Sequence, residues 1–210
     1  MTIMNTLSTQ TPPFRGGHVG KAAKTFPYLS LLTSFTMLLF GLLPNNEQQL
    51  AALSFNYSAI VDQHEYWRLI SGHLIHSSWD HLFWDLITFT AAASYLERQS
   101  RNLWVCATVV STLILDLYLL SPLANIEYYA GISGVLYTLI TLAGLFWYSK
   151  EKSLLGLLPL STIAIKTLFE LTAQDAVFVT DGWHLYAPAH LIGASIGITL
   201  WLLCRRYRLM

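Results

Sequence analysis

Gly131-Ile132-Ser133-Gly134-Val135-Leu136-Tyr137 opens a run, Ser133 to Tyr148, that is almost entirely apolar, so a short polar loop turns here abruptly into a helix. Ser133 falls in the first turn. There its hydroxyl lies beside backbone N–H groups that have no partner inside the helix, at the positive end of the helix dipole. That is a good place to stabilise an oxyanion. Small residues at a helix start more often serve close packing, so Gly-x-Ser-Gly needs support from the rest of the chain.

The composition puts this helix in a bilayer. Hydrophobic residues make up 54% of the chain and charged ones 11%, with a mean hydropathy of +0.46, which is too apolar for a soluble domain of this length. The formal net charge is zero and gives no reason to expect a nucleic-acid partner. Cys106 and Cys204 fall inside apolar runs without a neighbouring thiol or metal-ligand spacing, and read as packing residues.

Outward from Ser133, the chain divides into a polar tail (1–25), expected to be disordered, a membrane domain (26–206) and a short C-terminus (207–210). The apolar runs are Tyr28 to Leu43, Trp79 to Leu96, Leu103 to Leu120, Ser133 to Tyr148, Leu154 to Leu171 and Ala187 to Cys204, giving an all-α polytopic protein with six spans. The first should act as an uncleaved signal anchor. With both termini in the cytoplasm, Arg15, Lys21, Lys24, Arg98, Arg101, Lys150, Lys152, Arg205, Arg206 and Arg208 all fall on the cytoplasmic side, leaving over only Arg68 and Lys166 of the 12 basic residues. Ser133 then starts its span on the outer side. Its run is about 24 Å long against a hydrocarbon core of about 30 Å, so the hydroxyl is recessed yet reachable by water.

Two connections stand out. The first loop (45–78) carries Tyr66, Trp67 and Arg68, is too rich in aromatic and apolar residues for a plain linker, and should lie partly in the interface. The second, 172–186, with Phe178, Val179, Gly182 and Trp183, should form a mobile cap above His190.

Further polar groups converge on the outer layer. His190 starts the last span, and Gly193 and Gly197 share its helix face. Two glycines four apart admit another helix backbone. If that helix is the one starting at Ser133 and Gly134, the His190 imidazole comes within reach of Ser133 Oγ, as a serine nucleophile requires. His81 and Asp85 lie one turn apart on the second span. Tyr137, one turn below Ser133, either packs under His190 or is a simple core aromatic. Asp116 and Lys166 read as members of structural hydrogen bonds or ion pairs. Three readings compete: a serine hydrolase using Ser133 and His190; a metal site built from His76, His81, Asp85 and His190, none at a familiar ligand spacing; and a non-catalytic protein that binds or moves membrane segments.

Trp67-Arg68, His76 and His81, Gly131-Ile132-Ser133-Gly134 with Tyr137, and His190-x-x-Gly193-x-x-x-Gly197 together resemble the rhomboid family of intramembrane serine proteases. The resemblance implies a six-transmembrane-helix rhomboid-like bundle and a Ser133–His190 dyad with no third acid. It puts the oxyanion site on His81, the position of Asp85 and the Ser133 backbone N–H, with His76 and Gly131 in support. No cofactor and no metal are implied. The partners would be membrane-anchored protein substrates and the lipid bilayer, and the oligomeric state is left open. Most of the family carries Asn where this chain has Asp85, and an ionised carboxylate cannot donate to an oxyanion. Two roles for Asp85 follow: a protonated acid that donates, or a carboxylate that holds His81 or His76 as a donating imidazolium. The small core also resembles the rhombosortase branch, which implies a bacterial inner membrane, an active site opening to the periplasmic side, and substrates with C-terminal Gly-Gly sorting tails. The alternative is a non-catalytic rhomboid-like protein that handles transmembrane clients.

Overall fold

The computed structural model describes residues 25–43, 47–152, 154–173 and 186–207. All of the expected disordered tail but Thr25, nearly all of the cap segment and the last three residues lie outside the described residues. In chain order the elements are α1 (Tyr28–Leu42), α2 (Glu47–Leu53), β1 (Phe55–Asn56), α3 (Tyr57–Asp62), α4 (Arg68–Leu74), α5 (Trp79–Gln99), α6 (Arg101–Leu119), β2 (Tyr128–Tyr129), α7 (Ser133–Glu151), α8 (Leu158–Ala173) and α9 (Ala187–Arg206), with a 3₁₀ turn at Leu154–Leu157 leading into α8.

The six apolar runs lie in α1, α5, α6, α7, the 3₁₀ turn with α8, and α9, an all-α bundle. Two boundaries move. Ser149, Lys150 and Glu151 extend α7 past its apolar run to a left-handed Lys152. At about 28 Å it nearly matches the hydrocarbon core, so the recess expected from a short helix does not arise from its length. The fifth run begins as a 3₁₀ turn, and Pro159, which has no N–H to give, falls in the first turn of α8, where none is needed. By length and composition, α6, Leu154–Thr172 and α9 are each apolar enough to cross a membrane, while α1 is apolar but shorter.

Helix α7 is the axis of the bundle, packed by α5, α6, α8 and α9. Its residues are buried on every face, including Thr138 and Thr141, as an apolar helix without a polar stripe must be. The outward faces of the surrounding helices expose Leu32, Phe35, Leu113, Leu117, Ile165 and Leu168, a surface suited to lipid. Cys204 is buried, but Cys106 is exposed on α6. Its packing role is therefore corrected to a surface position, because the outward face of a membrane helix is as apolar as its inward face.

Buried polar groups fasten the periphery to this axis. Glu97, 0% exposed in α5, accepts from Leu29 N, Ser30 N and Ser30 Oγ at 3.2, 2.8 and 2.7 Å. It thus caps the start of α1, whose own N-cap, Pro27, has no side-chain acceptor. In the first connection, Arg68 is buried and donates to Ala51 O, Ser54 O and Glu65 Oε2. Tyr66 and Trp67 beside it are exposed. Strand β1 pairs antiparallel with β2, Phe55 opposite Tyr129, and Gly131 N donates to Gly72 O at 2.9 Å. The first connection is thereby bound to the loop just before Ser133.

Candidate active site

The starts of α5, α7 and α9 and the end of α8 meet at one end of the bundle. Helix α7 begins at Ser133 after Ile132, which offers no side-chain cap to the first N–H groups of the helix. One of them is taken: Gly134 N donates to the Tyr129 hydroxyl at 3.3 Å. Burial pushes the Tyr129 phenol up to about 12, so it remains a neutral hydroxyl.

Two glycines bring α9 onto α7. A β-carbon at Gly193 would overlap the Gly134 carbonyl oxygen, and one at Gly197 would lie 2.8 Å from Thr138 O. Thr138 Oγ1 donates to Gly193 O at 2.9 Å across the seam. At the head of α9, Pro188 presets the first turn. Tyr186 Oη ties that turn down by donating to Ala124 O and meeting Tyr118 Oη, each at 2.9 Å. His190 Nε2 consequently lies 2.9 Å from Ser133 Oγ. The Tyr137 ring stacks on the imidazole with centroids 4.3 Å apart and planes inclined by 2°. His190 is 4% exposed, whereas Ser133 is only partly buried.

Behind the imidazole stands a residue that the sequence reading did not single out. Glu170, near the end of α8 and 1% exposed, has Oε2 at 2.8 Å from His190 Nδ1. Its Oε1 pairs with Lys166, whose ammonium lies 5.9 Å from the Tyr137 ring centroid. Glu170 thus stands beside His190 where the resemblance implies no third acid, and Lys166 takes part in an ion pair, as its sequence position predicts. The available signal was the i, i+4 spacing of Lys166 and Glu170 in an apolar run, which puts two expensive charges on one helix face. Asp116 does fill a structural role, 3.0 Å from His73 Nε2.

On the other side, Asp85 Oδ2 lies 3.4 Å from His76 Nε2 and 3.5 Å from His81 Nε2. His76 Nδ1 is 3.1 Å from Leu74 O and His81 Nδ1 is 3.1 Å from Ser77 Oγ. A carbonyl only accepts, so His76 carries a proton on Nδ1. Its Nε2 faces the Asp85 carboxyl without a hydrogen bond between them. Gly131 makes room for His81. Its φ is +110°, and a β-carbon there would lie 2.8 Å from His81 Cε1. One donor atom each from His76, His81 and Asp85 falls within 4.8 Å of the others, a group able to hold a cation. His190, the fourth member of the metal reading, is instead engaged by Ser133 and Glu170.

Chemically, the arrangement offers a hydroxyl hydrogen-bonded to an imidazole, at a helix start and beside further histidines. A comparison with curated proteins gave no match. The family model described as "Rhomboid domain" matches residues 63–207, from the end of α3 through α9, and the chain belongs to the rhomboid family of intramembrane serine proteases.

Proposed function

We propose that this chain is an intramembrane serine endopeptidase in which Ser133 is the nucleophile and His190 its general base. The observation that carries the reading is the 2.9 Å approach of His190 Nε2 to Ser133 Oγ, at the seam that Gly193 and Gly197 close. His190 takes the hydroxyl proton as Oγ bonds to the scissile carbonyl carbon, and returns it to the departing amine as the peptide bond breaks. The acyl enzyme is then hydrolysed by a water that the same imidazole deprotonates. The Ser133 N–H and His81 stabilise the oxyanion, and Asp85, 3.5 Å from His81 Nε2, orients His81 as a donor.

The substrate's membrane segment reaches the site laterally from the lipid, and small or helix-breaking residues favour the local unwinding that cleavage needs. In the finer reading the protein is a rhombosortase of the bacterial inner membrane, with its site facing the periplasm, that removes C-terminal Gly-Gly sorting tails. One observation favours the non-catalytic alternative: a buried carboxylate, Asp85, stands where an ionised group would oppose an oxyanion.

Labelling with a serine-directed fluorophosphonate tests the activity. Wild type should label at Ser133 and Ser133→Ala should not; an unlabelled wild type would overturn the protease reading. Comparing protein termini in cells with and without the gene tests the branch. Uncut C-terminal tails support a rhombosortase, altered single-span proteins a general rhomboid, and unchanged termini the non-catalytic alternative.

A further inference from the structure

We infer that Glu170 is a positioning residue for His190, making the site a Ser133–His190–Glu170 triad balanced by Lys166. The inference rests on the proposed roles of Ser133 and His190. To accept the Ser133 proton, His190 must present a lone pair at Nε2 and therefore carry its own proton on Nδ1. A carboxylate offers acceptors only, so Glu170 Oε2 at 2.8 Å from Nδ1 selects that tautomer. It also fixes the ring in plane, while Tyr137 fixes it from below.

The location argues against a merely structural pair. Glu170 has its side chain fully buried on a membrane helix, where a charge is costly unless paired and hydrogen-bonded. An apolar residue would pack that position more cheaply, and Lys166 exists at i−4 only as an added cost unless the carboxylate is needed. With Lys166 on Oε1 and the His190 N–H on Oε2, both oxygens are engaged.

Lys166 has a second consequence. A lone buried carboxylate would hold His190 as an imidazolium, which has no lone pair for the serine proton; a cation on its other oxygen offsets that pull. As positive charge develops on the imidazole during attack, Glu170 stabilises it without taking the proton.

The test uses the full-length protein in detergent, with folding followed by thermal melting. Glu170→Gln keeps the shape and removes the charge. It should lower the rate of fluorophosphonate labelling at Ser133 by about 10²-fold or more, and lower kcat for a transmembrane substrate with KM unchanged, while Glu170→Asp recovers part of both. In protein carrying ¹⁵N-histidine and Ser133→Ala, a strongly downfield Nδ1–H resonance should be present, and Glu170→Gln should remove it. If the single variant does not fold, the Lys166→Met, Glu170→Gln pair leaves no unpaired buried charge and carries the same measurements. A folded Glu170→Gln protein that labels at the wild-type rate overturns the inference and leaves the nucleophile reading intact. Failure of wild type to label overturns both.

Discussion

Gly193 of α9 lies so close to Gly134 of α7 that a β-carbon on the first would overlap the carbonyl oxygen of the second, one turn beyond His190 and one residue beyond Ser133. The distance between nucleophile and base is therefore set by two residues without side chains. Gly193→Ala must push the helices apart, at a cost of about 1–3 kcal/mol in stability. A shift of about 1 Å at the reacting atoms is enough for a 10²-fold loss of activity. Gly197→Ala, which meets Thr138 O at 2.8 Å farther from the site, should do less of both. Melting temperature and cleavage rate of the two variants check this order, and equal activity in both would contradict it.

Metal chemistry and serine chemistry predict opposite responses to one reagent. His76, His81 and Asp85 are close enough to hold a cation, but the proposed reaction does not need one. Chelators should leave cleavage unchanged, whereas Ser133→Ala and His190→Ala should each abolish it in folded protein. Cys106→Ala and Cys204→Ala should retain activity. Loss of activity on chelation, restored by a divalent cation, would return the metal reading.

The buried acid Glu97 caps α1 from a neighbouring helix, accepting two backbone N–H groups and a hydroxyl. Hydrogen bonds to a charged group contribute about 1.5–3 kcal/mol each, so Glu97→Leu should visibly lower the melting temperature. Because Glu97 lies at the opposite end of α5 from His81 and Asp85, the protein that remains folded should cleave at the wild-type rate. A stability loss with unchanged specific activity is the expected pattern, measured by thermal melting and by cleavage per folded molecule.

How much of this was legible in the sequence depends on whether a residue acts through local spacing or across the bundle. Helix locations follow from the apolar runs, and Gly193 and Gly197 mark a face where a backbone can approach. The i, i+4 relation of His81 and Asp85 is local as well. Glu97 and Glu170 are different, since each lies at the edge of an apolar run, where an acid reads as a helix end meeting water. Only tertiary packing reveals that Glu97 faces the start of α1 and Glu170 faces His190. The outward position of Cys106 is equally hidden, because lipid and protein interior select the same residue types.

Arg68 predicts how firmly the first connection must be held. Its guanidinium donates to Ala51 O, Ser54 O and Glu65 Oε2, and β1 beside it pairs with β2 just before Ser133. Lysine cannot reproduce the fixed fork of donors. Arg68→Lys should expose residues 47–74 to limited proteolysis and lower activity through the loop that carries Gly131, leaving helix content unchanged by circular dichroism. Wild-type protease resistance in Arg68→Lys would show that the strand pairing alone suffices.

Asp85 discriminates between two ways of feeding an oxyanion. Its Oδ2 sits between His76 Nε2 and His81 Nε2, at 3.4 and 3.5 Å, and neither His76 Nε2 nor Asp85 Oδ2 makes a hydrogen bond among the described residues. Leu74 O fixes a proton on His76 Nδ1, and two arrangements of the remaining groups can supply a donor. In the first, Asp85 is the counter-charge of a histidine and His81 is the donor. Asp85→Asn then removes the counter-charge as fully as Asp85→Ala does, and both should lose roughly 10²-fold in kcat, the scale of a missing oxyanion donor. If a proton instead resides on the carboxyl and Asp85 itself donates, Asp85→Asn replaces one neutral donor with another and should keep most activity, while Asp85→Ala fails. Steady-state cleavage by wild type, Asp85→Asn and Asp85→Ala separates the two, and full activity in all three would remove Asp85 from the mechanism.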